Sequence, residues 1–242
     1  MISVLRKIRK KLLMKNKFSS YLLYAIGEIA LVMIGILLAL QVNNWNEEKK
    51  RSNQLRSILK TVRADLVTDT TIASGITRYY DTINKYSQKV MRHEVTSQNL
   101  HECGPCRSLI TLYQPMIIQK KGYEQLEDFS DQNSRNQDSL VTDIGQFYRL
   151  YTKIIEDNNT FVKEETLDNL DHFKSMPWFI DWMQGKLTED VKEYFGNSND
   201  YKNRVAANFI LASSNHTRYI KEYHKNATAI LEQIDKRLEP SN

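Results

Sequence analysis

The pattern of apolar positions divides the chain near its start. Ile2, Leu5, Ile8, Leu12 and Leu13 recur at helical spacing among Arg6, Lys7, Arg9, Lys10, Lys11, Lys15 and Lys17. This spacing predicts a short basic amphipathic helix over residues 1–20, suited to an anionic membrane surface. The run YLLYAIGEIALVMIGILLALQV at 21–42 then holds only Glu28 and Gln41 as strongly polar residues. At about 1.5 Å per residue it reaches about 33 Å, enough to cross a hydrocarbon core of about 30 Å. Tyr21 and Tyr24 stand at one end and Trp45 just past the other, where amphipathic rings favour the interface. The run is too long for a typical signal-peptide core, and Ala39-Leu40-Gln41 does not make a small-x-small cleavage site. A transmembrane helix over 21–42 is therefore expected.

Beyond it, Leu55, Leu59, Val62, Leu66, Ala73, Ile76, Tyr80, Ile83 and Val90 keep a 4-3 spacing, with Asp69 and Ser87 at two positions of the stripe. That predicts a long helix over about 47–90, continuing directly from the span. EVTSQNLHECGPC breaks the pattern, with a turn at Gly104-Pro105. A short helix is expected at Arg107–Tyr113, ending before Pro115, and another from Gly122 to Phe129. SDQNSRNQD reads as a loop. Leu140, Ile144, Phe147, Tyr151, Ile154, Phe161, Leu167, Leu170 and Phe173 mark a further helical stretch, with a break expected near Asp157-Asn158-Asn159 and an end at Pro177. The apolar turns at Trp178–Met183 would cap a core. A short helix at Leu187–Phe195 would stop at Gly196.

From Asp200 to Leu238 the 4-3 rhythm returns through Val205, Phe209, Ala212, His216, Tyr219, Tyr223, Ala227, Ile230, Ile234 and Leu238. Two long stripes of similar length would pack antiparallel at about 20°. The expected class is all-α: a single N-terminal transmembrane helix, then an extracytoplasmic helical bundle whose long first and last helices run antiparallel. The domains are a basic cytoplasmic segment at 1–20, the span at 21–42 and a helical domain at 43–242. Only 8 Gly and 4 Pro in 242 residues agree with this and argue against a turn-rich β fold.

The net charge of +5 changes the picture only by its location. Residues 1–20 hold seven basic side chains and no acid, so the rest is slightly acidic. This reads as topology and lipid contact, and nucleic acid is not an expected partner. The C-terminal flank has Lys49, Lys50, Arg51, Arg56 and Lys60. The excess on the N-terminal side places the N-terminus in the cytoplasm and Asn43 onward outside it.

The stretch NKFSSYLLYAIGEIALVMIGILLALQVNNWNEEKK, with Gly27-Glu28, Gly35 and Asn43-Asn44-Trp45-Asn46, resembles the N-terminal signature of a family of uncharacterised proteins from Bacteroidota, described only as a domain of unknown function. The later KGYEQLEDFSDQNSRNQDSLVTDIGQFY is similar to a looser pattern, in which Tyr-x-x-Leu precedes a helix rich in Tyr and Leu. The resemblance implies a Gram-negative envelope protein of the inner membrane with its helical domain in the periplasm. It implies no activity.

Glu28 lies about 10 Å into the span, where an acid facing lipid costs roughly 2–3 kcal/mol. Gly35 and Ala39 form a small-xxx-small pair, and Gly35 stands seven residues from Glu28. Gly27, Glu28, Gly35 and Ala39 are thus a candidate transmembrane interface, with the bilayer and either a second copy or another membrane protein as partners. A proton relay at Glu28 is the sharper alternative, and a tolerated acid near the interface the plainer one. Cys103-Gly104-Pro105-Cys106 matches a thioredoxin redox centre, yet no apolar strand and no Trp precede Cys103. A local disulfide that stiffens the turn is expected instead. His93, His101, Cys103 and Cys106 could also supply soft-metal ligands. His172, His216 and His224 read as satisfied or surface histidines, and Phe179, Trp178 and Trp182 as core aromatics. No paired-carboxylate or triad spacing stands out, and no cofactor is expected. The expected function is a non-enzymatic interaction or accessory subunit that self-associates through its span. The alternatives are a periplasmic ligand-binding, sensor-like bundle and a redox or metal protein using Cys103 and Cys106.

Overall fold

The computed structural model describes residues 18–132 and 138–239. The basic segment expected before Phe18 lies outside the described residues, as does the centre of the polar run SDQNSRNQD. Every element among the described residues is helical. By contacts the chain divides into two compact units, Met1–Leu55 and Arg56–Asn242.

One helix, α1, runs from Phe18 to Met91 through both units. It contains no proline, and its end is built by backbone geometry. His93 takes a left-handed φ of 59°. The Glu94 amide reaches back to the Lys89 carbonyl (3.0 Å) and the His93 amide to that of Val90 (3.1 Å). These two bonds satisfy carbonyls that the last turn would otherwise leave open. In the first unit, every residue from Ala25 to Lys50 is exposed except Ala25 and Glu28, which are partly covered. This is the one helix among the described residues long and apolar enough to cross a membrane.

In the second unit α1 buries the predicted stripe, from Leu59 and Val62 to Tyr80 and Val90, with Asp69 and Ser87 buried among them. Short 3-10 turns follow at Leu100–Glu102 and Gly104–Arg107. The expected helix at Arg107–Tyr113 does not form. Pro115 lacks an amide hydrogen and disfavours helix in the residue before it, and residues 113–120 run without helix. The remaining elements are α2 (Lys121–Gln132), α3 (Ser139–Lys174), α4 (Phe179–Met183), α5 (Glu189–Asn197), α6 (Asn199–Asn208), π turns at Phe209–His216, and α7 (Thr217–Leu238).

The long first and last helices are antiparallel within the second unit. Arg63 pairs with Asp235 (2.5 Å), Asp69 with Tyr223 (2.6 Å) and Asp81 with Lys221 (2.9 Å). Arg56 donates to the Leu238 carbonyl. Asp138 caps α3 through the Leu140 amide and holds Arg237.

Three expected boundaries shift. α3 does not break at Asp157-Asn158-Asn159. In its second half it buries Ile155, Val162, Thr166 and Asn169, while Phe161 and Leu167 are 55% and 47% exposed. Burial of Thr166 and Asn169 is tolerated because Thr166 bonds the Val162 carbonyl (2.8 Å) and Asn169 accepts from Arg204 (3.0 Å). In the last stretch Asn208 and Ile220 are buried where Phe209 and Tyr219 were expected, while Ala212, His216 and Tyr223 keep their places, and residues 209–216 wind as π turns. Gly196 does not stop α5, which continues to Asn197.

Candidate functional site

One candidate face lies on the apolar part of α1. With about 100° of turn per residue, Gly35 falls about 20° to one side of Glu28 around α1 and Ala39 about 20° to the other. Gly27 sits about 100° away from Glu28 and belongs to a neighbouring stripe. No atom lies within 4 Å of where a Cβ would stand on Gly27 or Gly35. Just past the apolar run, Asn43 donates to Glu47 (3.0 Å), and the Lys49 ammonium lies 5.6 Å from the centre of the Trp45 ring. Each pair spans one turn and braces an otherwise exposed helix surface.

The Cys pair lies elsewhere, in the second unit. Cys103 and Cys106 are joined by a disulfide. They are 8% and 0% exposed and belong to a cluster with Phe173, Trp178, Val191, Phe195, Tyr201 and Val205. Tyr201, fully buried, donates its hydroxyl to the Cys106 carbonyl, and Trp182 donates its indole N–H to the Arg107 carbonyl (2.9 Å). This environment leaves little room for the thiolate approach that thiol exchange needs. His93 ends α1 through its backbone, and His101 faces Glu102 at 3.8 Å. Among the described residues no three His, Cys, Asp or Glu side chains are grouped to hold a metal ion. A disulfide closing so short a loop contributes about 2 kcal/mol in the chain-entropy picture. The Cys103→Ser, Cys106→Ser variant should lose about that much in urea unfolding followed by fluorescence of Trp178 and Trp182.

His172, read from the sequence as a satisfied or surface histidine, has a partner. Its Nε2 lies 2.9 Å from Asp200 Oδ2, which also accepts from the Tyr194 hydroxyl (2.6 Å). Burial alone would raise the Asp200 carboxyl, but the Tyr194 bond and the charges of His172 and Arg204 together hold it below the usual range. Ser198 caps α6 at the same place, bonding the amides of Asp200 and Tyr201. The network ties α3, α5 and α6 together and presents no free nucleophile.

The least expected arrangement is a strap, residues 112–120, whose backbone bonds are supplied by side chains. Tyr80 accepts from the Gln114 amide (3.0 Å), and His216 Nε2 lies 3.2 Å from the Gln114 carbonyl. Asn159 takes both backbone groups of Met116, at 3.0 and 2.7 Å, as a neighbouring strand would. Asp69 accepts from the Gln119 amide through both oxygens (3.2 and 3.1 Å), and Asp65 from the Gly122 amide (2.6 Å). Buried Met116 and Ile118 point inward. A segment with neither helix nor sheet partners must satisfy its peptide groups some other way, and this explains the acid within the apolar stripe of α1. Burial pushes the Asp69 carboxyl up to about 6, against the lowering effect of its bonds from Tyr223 and Gln119. The hydroxyl of neighbouring Tyr148, also buried, finds no hydrogen-bond partner among the described residues. The sequence offered one clue to the strap: the acid Asp69, placed where helix periodicity called for an apolar residue.

Comparison with curated proteins and with solved structures gives no match. Residues 28–85, a stretch that takes in Glu28, Gly35, Ala39, Asp65 and Asp69, match a family of unknown function (DUF6090).

Proposed function

We propose that the chain is a single-pass protein of a bacterial inner membrane, with its N-terminus in the cytoplasm and its helical domain in the periplasm. In this reading it serves as a non-enzymatic accessory subunit that self-associates through the Glu28, Gly35 and Ala39 face of α1. The observation that carries it is the nearly complete exposure of residues 25–42, an apolar surface that water would not tolerate and a bilayer would. The open space at Gly35 supports close approach of a second helix. A partly covered Glu28 would then exchange lipid for a partner's polar groups. The basic residues before Phe18 support the orientation. The Bacteroidota envelope follows from the resemblance of the 16–50 stretch.

Disulfide crosslinking in native membranes tests this, with single cysteines placed from Ala25 to Ala39 in a Cys103→Ser, Cys106→Ser background. Crosslinked dimers should recur every three to four residues along the Glu28/Gly35 face, and Glu28→Leu with Gly35→Leu should abolish them. Crosslinks without periodicity, or unaffected by the two substitutions, would remove the self-association reading.

A further inference from the structure

The strap is fastened near each end to a buried titratable group, and the two groups are of opposite type. At the Gln114 end it is His216, buried in the π turns, edge-on to Tyr80 with 5.5 Å between ring centres. Its Nδ1 is buried without a hydrogen-bond partner among the described residues. At the Gln119 end it is Asp69, buried against Tyr223. Among the described residues neither is ion-paired. The buried face of α3 presents Tyr148 and Tyr151 but no charge, and that of α7 presents Tyr223 but no charge. α1 adds half-buried Asp65, one turn before Asp69, and Tyr80 against His216, with Tyr79 edge-on to Tyr80 at 5.0 Å. Lys120 on the strap is spent on Glu156 (2.7 Å), and α1 and α7 pair Asp81 with Lys221 at the surface. α2 contributes Tyr123, stacked on Tyr148 at 4.8 Å.

We propose that residues 112–120 form a two-latch strap whose ends open on opposite sides of a pH change, the Gln114 end in acid and the Gln119 end toward neutral pH.

The signs follow from burial without a counter-ion. A buried carboxyl prefers to be neutral, so the closed strap binds its proton more tightly than the open strap does. Asp69 is about 6 when closed, against an ordinary 3.8. Opening at Gln119 therefore becomes easier as pH rises from about 4 to about 6, and stays so above that. Burial lowers His216 below its ordinary 6.5, more than its bond to Gln114 raises it. The closed strap disfavours the imidazolium, so opening at Gln114 becomes easier as pH falls from about 6.5. Met116, clamped by uncharged Asn159 between the two latches, has no titrating partner of its own. The strap is thus divided into independently responding halves.

Amide hydrogen exchange resolved to single residues tests the proposal on the full chain in zwitterionic detergent micelles. Exchange at about pH 4.5 and about pH 7.5 is referred to the intrinsic rate at each pH. The opening constant at the Gln119 amide should rise about tenfold or more toward the higher pH, since each unit between closed and open values is a factor of ten. That at Gln114 should move the opposite way. Asp69→Asn should flatten the Gln119 response and leave that at Gln114, and His216→Phe should do the reverse. Should Asp69→Asn not fold, Tyr223→Phe serves: losing a bond that favours the carboxylate, it should carry the Gln119 transition to higher pH. Both ends moving together, a pH response unchanged by Asp69→Asn, or an unshifted transition in Tyr223→Phe would overturn the proposal.

Discussion

Gly196→Ala is expected to destabilise the second unit by about 3 kcal/mol or more, above the usual range for overpacking. A methyl group on Gly196 would stand 2.2 Å from the Ser97 amide nitrogen and 2.4 Å from the Thr96 carbonyl carbon. Both are backbone atoms, so no rotamer change relieves the clash. α5 must retreat from the 94–100 segment, and the retreat breaks more than one contact. Asn197 next door bonds the Ser97 amide (3.2 Å) and hydroxyl (3.1 Å). Val191 and Phe195, on the same helix, belong to the cluster that encloses the disulfide. Urea unfolding followed by circular dichroism would measure the loss. An unchanged midpoint would mean that the close approach of α5 is wrong. Ala at Gly75, which has nothing within 4 Å, is the matched control.

Phe173→Ala should cost about 3–5 kcal/mol. The ring is fully buried and meets Trp178, Trp182, Tyr194 and Phe195 edge-on, at 5.3 to 5.6 Å between centres. Edge-to-face pairs of this kind add to the area term that any buried ring contributes. Removing the shared member leaves each neighbour facing a void too rigidly framed to collapse, because α3, α4 and α5 are also tied through Asp200 and the Arg107 carbonyl. Tryptophan fluorescence provides the readout, since Trp178 and Trp182 line the void. Phe161→Ala, on the same helix but exposed, should change stability by less than about 0.5 kcal/mol.

These contrasts show what the chain made legible. The apolar run before Trp45 and the stripe from Leu59 to Val90 announced α1, because a regular helix repeats its exposure pattern for as long as its neighbours remain the same. The same logic failed on α3, where apolar identity was taken for burial. Phe161 and Leu167 are large and apolar yet exposed, and Asn169 is polar yet buried because Arg204 meets its oxygen. Gly196 looked like a helix stop. Its lack of a side chain serves a close approach to residues a hundred positions earlier, and no local pattern records such a partner. The strap was missed for a related reason. Its bonds come from Tyr80, Asn159, Asp69 and His216, scattered over three helical stretches, and only the folded arrangement brings them to one segment. Glu28, Gly35 and Ala39 could be placed on one face from spacing alone, since a helix fixes those angles without help from the rest of the chain.

The strap also bears on the order in which the protein assembles. Its fastenings reach 34 residues back to Tyr80, 50 back to Asp69, 43 forward to Asn159 and 102 forward to His216. The full set can close only once α1, α3 and the π turns lie beside one another, because each supplies only a side chain and no continuous ladder. Contacts of such separation carry the loop-closure cost of the whole fold and reward it late. Complete docking of residues 112–120 is therefore expected after those helices have met, and in hydrogen exchange its amides should open more readily than those of the helices that hold them.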